Sequence, residues 1–65
     1  MKKLTKAEIG KFADLVVAGN RRAIEVNVSL QDCIRAILVE NDSAKIEKLH
    51  DRMVDRIKEV IQSSV

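Results

Sequence analysis

No glycine or proline interrupts the chain from Asn20 to Ser43. Nothing there obliges the backbone to turn, so the stretch either runs as one element or changes conformation without a breaker. Its first part is ambiguous. Ile24, Val26, Val28 and Leu30 alternate strictly with Glu25, Asn27 and Ser29, the period of two of a half-buried strand. Leu30, Ile34, Ile37 and Leu38 then follow at helical spacing. As a helix capped by Asn20, residues 21–40 would span about 30 Å. Two apolar lines would then form, Ile24, Val28 and Gln31 on one and Val26, Leu30, Cys33 and Ile37 on the other, with Ile34 and Leu38 between them. Such a helix is apolar over more than half its circumference. That suits the middle of a bundle, where it meets its own neighbours and a second subunit. A strand running straight into a helix usually has a turn residue at the junction. Only Ser29, with Asp32 three residues on, offers an imperfect capping box there. We read the segment as helix and keep a strand at residues 23–29 as the alternative.

The flanking helices are marked at their ends. Thr5 and Glu8 form a capping box, and Leu4 and Ile9 have the spacing of a hydrophobic staple. Ile9, Phe12, Ala13, Val16 and Val17 make one apolar stripe, and Gly19-Asn20 closes a helix over residues 6–18. Asp42 or Ser43 can cap a last helix over residues 43–62. Ile46, Leu49, Met53, Ile57, Val60 and Ile61 form its buried stripe, with Val54 on the shoulder. Glu47, Asp51, Asp55 and Glu59 line one ridge, and Lys48, Arg52 and Arg56 the next. Pairs such as Lys48–Asp51 and Arg52–Asp55 would each add a few tenths of a kcal/mol.

A chain of 65 residues buries only about 60% of the surface it exposes when unfolded, and such small domains need a staple. One cysteine, Cys33, forms no intramolecular disulfide. Cys33 and His50 are the only soft ligands and have no second pair, so no structural metal is expected. Self-association remains. The expected fold is all-α: one domain of three helices forming a homodimeric bundle. Leu30, Ile34, Ile37, Leu49, Met53 and Ile57 are the expected dimer seam. No apolar run is as long as a membrane span, and the basic start has no uninterrupted apolar core of a signal peptide. A cytoplasmic protein with a reduced thiol is expected.

With three helices placed, Ile9-Gly10, "LVVAGN" (residues 15–20), the Leu30/Ile34/Ile37 spacing and "ENDSAKI" (residues 40–46) together resemble the YmgB/AriR family. These are small bacterial biofilm and acid-resistance regulators that connect two-component signalling systems. The likeness is one of apolar and turn positions, over about residues 7–61. It implies an all-helical homodimer acting on regulatory partners, with no catalytic residues to carry over. The chain differs in having "RRAIE" (residues 21–25) where the family has an Asn-rich loop.

The strand alternative resembles instead the ribbon-helix-helix repressors, whose paired strands enter the major groove. Glu25, Asn27 and Ser29 would then face the bases. The basic residues Lys2, Lys3, Lys6 and Lys11, with Arg21 and Arg22, are a candidate phosphate-binding set. A net charge of +2 and a single aromatic residue, Phe12, make it a weak one. His50 is the only side chain whose ordinary pKa lies near neutrality. It is a boundary histidine or, in light of the acid-resistance resemblance, a pH sensor. Dimer affinity of His50→Gln at acid and neutral pH separates the two. Cys33 reads as a small buried hydrophobe, since no base lies near it in sequence to make it a nucleophile. There is no Gly-rich phosphate loop and no readable triad, so neither catalysis nor a cofactor is expected. The expected function is that of a small regulator binding a protein such as a response regulator or transcription factor. A DNA-binding repressor is the alternative.

Overall fold

A computed structural model describes residues 2–64. The chain forms three helices: α1 (Lys6–Val17), α2 (Arg21–Val39) and α3 (Ser43–Ser63). No strand occurs among the described residues. The alternating segment is wound into the first half of α2, so the strand alternative at residues 23–29 is corrected. The reason is local. The Asn20 side chain accepts from the Ala23 backbone N–H at 3.0 Å, and its carbonyl accepts from Ile24 at 3.0 Å. Helix nucleation is the costly step, and here a cap supplies it just before the β-branched run. With no glycine or proline in the way, propagation then carries through that run to Val39.

The corner between α1 and α2 is short and fully hydrogen-bonded. Gly19 N–H donates to Val16 carbonyl at 3.1 Å and Asn20 N–H to Leu15 carbonyl at 3.0 Å. This is the paired closure of a Schellman motif, with Gly19 at φ 83° in the left-handed region. Asn20 therefore closes α1 with its backbone and opens α2 with its side chain. At the other end of α1, Thr5 and Glu8 form the full capping box, with Thr5 N–H donating to Glu8 at 2.9 Å and Glu8 N–H to Thr5 Oγ1 at 3.1 Å. Between α2 and α3 the Glu40 carboxylate accepts from the N–H groups of Asn41 and Asp42, each at 3.1 Å. Asp42 then caps α3 by accepting from Ala44 N–H at 2.9 Å.

The core is small and sits at one end. Phe12, Ala23, Val60 and Ile61 form it, with Leu15, Val16, Val26, Leu30 and Ile57 packed around. Ala23 is fully buried, a small residue where the start of α2 meets the other two helices. Val54, expected on a shoulder, is buried with 3% exposure. The stripe expected on α1 is rotated. Phe12, Leu15 and Val16 turn inward, whereas Ile9 is 53% and Val17 88% exposed.

At a rise of about 1.5 Å per residue, α1 is much shorter than α2 and α3. The far end of the α2–α3 hairpin therefore outruns it. Between Ala23 and Val54 no side chain is buried. The molecule extends 36 × 20 × 16 Å, with a radius of gyration of 12.2 Å, against about 10.8 Å for a compact chain of this length.

Candidate interaction surfaces

The surface is defined by α2. One side, Val26 and Leu30, packs on the chain's own core. On the other side Ile24 (40%), Val28 (57%), Ile34 (49%), Leu38 (77%) and Val39 (80%) are exposed. Gln31, Asp32 and Arg35 lie among them, also exposed. Five large aliphatic side chains in the open on one helix, interspersed with these polar ones, form a largely apolar face, the kind that marks an interaction site. The area agrees. The chain exposes 4869 Å², where a compact monomer of its mass would expose about 4,200 Å². The difference is close to the ~800 Å² that each partner buries in a standard interface.

The six residues expected in the dimer seam fall into three groups. Leu30 and Ile57 pack against the chain's own core. Ile37, Leu49 and Met53 are half-buried along the hairpin, and Ile34 faces outward. The structure thus does not gather the six into one exposed strip. Periodicity located the apolar lines of α2 but not which of them α1 and α3 would cover.

The charged ridges of α3 are also arranged differently from the in-helix pairs expected. Asp51 and Asp55 turn to Lys2 rather than to Lys48 and Arg52. Lys2 N–H donates to Asp51 Oδ1 at 3.0 Å, and its ammonium donates to both Asp55 oxygens at 2.8 Å. The N-terminal segment is strapped across the middle of α3. The backbone hydrogen bond from Lys2 holds the Asp51 carboxyl below its ordinary pKa, and the hydrogen bond to Asp55 raises that of Lys2. Arg56 leaves its ridge as well and donates to Ser29 Oγ at 2.8 Å. Ser29 in turn donates to Val26 carbonyl at 2.9 Å. Ser29 is therefore a link between α2 and α3 inside a continuous helix, not the cap of a strand-to-helix junction. Nothing in the spacing of either residue foretold that contact, which exists only once the hairpin has closed.

The candidate phosphate-binding set is dispersed. Lys2 is held by two carboxylates, while Lys3, Lys6 and Lys11 are exposed along the start of the chain and α1. Arg21 and Arg22 are exposed at the start of α2, beyond the opposite end of α1. The His50 ring is half-buried with Nδ1 3.4 Å from Asp51 Oδ1. Cys33 is half-buried and unbonded to sulfur. No group of metal-ligating side chains occurs among the described residues, and no described helix is long and apolar enough to cross a membrane.

A second surface lies where α2 ends. Glu40, Lys45, Lys48, Leu49 and Arg52 line an open groove of about 290 Å³. That is below the usual range for enclosed small-molecule sites. The groove instead presents three cations around one exposed edge of the hairpin. No family model matches the chain, and no curated protein or solved structure is significantly similar to it.

Proposed function

We propose that this protein is a small regulatory connector that self-associates through α2 and acts by binding another protein, without catalysis or a cofactor. One observation carries the reading: α2 is apolar on two sides and only one is covered by its own chain. Self-association would remove the exposed side from water. At about 25 cal/mol per Å², burial of ~700 Å² that is half apolar contributes on the order of 9 kcal/mol per chain before the cost of association. That is comparable with the whole stability expected of a domain this small.

The dimer would leave α3 turned outward and display the groove of Lys45, Lys48, Leu49 and Arg52 twice. Three cations and one carboxylate, Glu40, around a leucine leave the groove net positive, which suits an acidic, amphipathic segment of a partner such as a response regulator or transcription factor. The regulator would act by occupancy, covering that segment. Biofilm or acid-stress control is the setting that the family resemblance implies. Light scattering gives the mass, and a tagged chain gives the partner. A dimeric mass, with a partner retained by the native chain and lost with Lys48→Glu/Arg52→Glu, supports the reading. A monomeric mass at ~100 μM, or turnover of a small substrate, overturns it.

Arg21 and Arg22 beside the N-terminus of α2 favour a second reading, since helix N-termini attract phosphate. With Lys2 neutralised and no strand to enter a groove, binding to random duplex DNA would be weak and steeply salt-dependent.

A further inference from the structure

We infer that two copies of the chain pair through α2 in antiparallel fashion, with the two-fold axis passing near Gln31. This rests on the self-association reading above and adds its geometry.

The exposed apolar residues of α2 are placed evenly about Gln31. Ile24 and Val28 lie on its N-terminal side, and Ile34 and Leu38 on its C-terminal side. In an antiparallel pair about that point, the first two of one chain cover the last two of the other. Gln31 then meets its own copy. A side-chain amide carries donors and an acceptor together, so two related by a two-fold axis satisfy each other. A single polar residue inside an apolar helix seam fixes register in the same way.

Charge favours the antiparallel arrangement over the parallel one. The exposed charges on or beside the face include Glu25, Asp32 and Arg35. In a parallel two-fold pair the residues flanking the seam fall on the opposite rim from their own copies, so Glu25 and Asp32 find no cation there. In the antiparallel pair Arg35 comes within about 3 Å along the axis of the partner's Glu25, on the same rim. Asp32 already steers Arg35 from one turn away, at 3.9 Å. The helix dipole points the same way. α2 has no acidic residue in its first turn and no basic residue in its last, and Arg21 and Arg22 stand at its positive end. An antiparallel neighbour brings those arginines to the level of the negative end of the partner's α2.

The test uses thiol cross-linking on the full chain in a Cys33→Ala background, with a short bis-maleimide. Ile24→Cys and Leu38→Cys lie about 21 Å apart along the helix. Each alone should give little covalent dimer, a mixture of the two should give the mixed dimer, and Gln31→Cys should cross-link to itself. All three sites are exposed in the single chain, so the fold should survive, which helix content checks. In a parallel measurement, Glu25→Arg and Arg35→Glu should each raise the dissociation constant about 3- to 10-fold, and the double swap should restore it. Self-cross-linking of Ile24→Cys, or no cross-link in a chain that light scattering shows to be dimeric, overturns this geometry and leaves self-association standing. A monomeric mass overturns both.

Discussion

Replacing the two glycines by alanine, one at a time, should move stability in opposite directions. Gly10 lies inside α1, and a methyl group added there meets no atom within 4 Å. A methyl group at Gly19 would also stand in open space, but the backbone there has φ +83°. Sterics with neighbours are thus absent from both changes, and only backbone conformation differs. In a helix interior alanine is better than glycine by about 0.8–1 kcal/mol, so Gly10→Ala should stabilise by roughly that amount. A left-handed backbone costs an L-residue about 1–2 kcal/mol, offset in part by the reduced freedom of the unfolded chain. Gly19→Ala should therefore destabilise by about 1 kcal/mol net. A spread of about 2 kcal/mol is large for a domain expected to hold about 3–10 kcal/mol in all. Urea unfolding followed by helix content measures it, at one fixed protein concentration because self-association adds stability by mass action. Destabilisation by Gly10→Ala would refute the reasoning and place another surface against that face of α1. A neutral Gly19→Ala would mean that the corner is not held in the left-handed turn.

Two further outcomes follow from the core and the N-terminal strap. Val60 is 1% exposed and Val17 88%, so Val60→Ala should cost about 2–3 kcal/mol from lost burial and the cavity left behind, and Val17→Ala under about 0.5; thermal melts at equal concentration compare them. Asp51 has a folded pKa below its unfolded value near 3.8, so its contribution is fully present above that pH and lost as pH falls through the folded value. Asp51→Asn should thus show a shallower acid-induced loss of helix than the native chain below about pH 4, and an identical acid profile would refute the strap.

The helices were legible because their ends are chemical. Thr5/Glu8, Gly19-Asn20 and Asp42 each supply or accept a specific hydrogen bond, and the chain starts and stops helices where they stand. The period of two in Ile24–Leu30 kept a strand open only as an isolated pattern, and the helix reading of the segment holds. On a helix those same residues wrap around the axis, which is how α2 comes to be apolar on both sides. What periodicity could not reveal was the division of that apolar surface between inside and outside. That depends on the length of α1, which covers one end of the hairpin and not the other, and on its rotation, which buries Phe12 and exposes Ile9. The Lys2 and Arg56 contacts lie beyond sequence reasoning for a related reason. Each joins residues distant in the chain that are ordinary solvated charges until the fold is complete.

The short corner at Asn20 has a mechanical consequence. Because one residue ends α1 with its backbone N–H and starts α2 with its side chain, α1 and α2 cannot slide along each other without breaking both terminations at once. The compliant part of the molecule is then the opposite extremity, where two helices run on without a third. Any rearrangement on binding should be a splaying of the α2–α3 tips about a stiff base, and hydrogen exchange should be faster around residues 40–46 than around Ala23 and Val60.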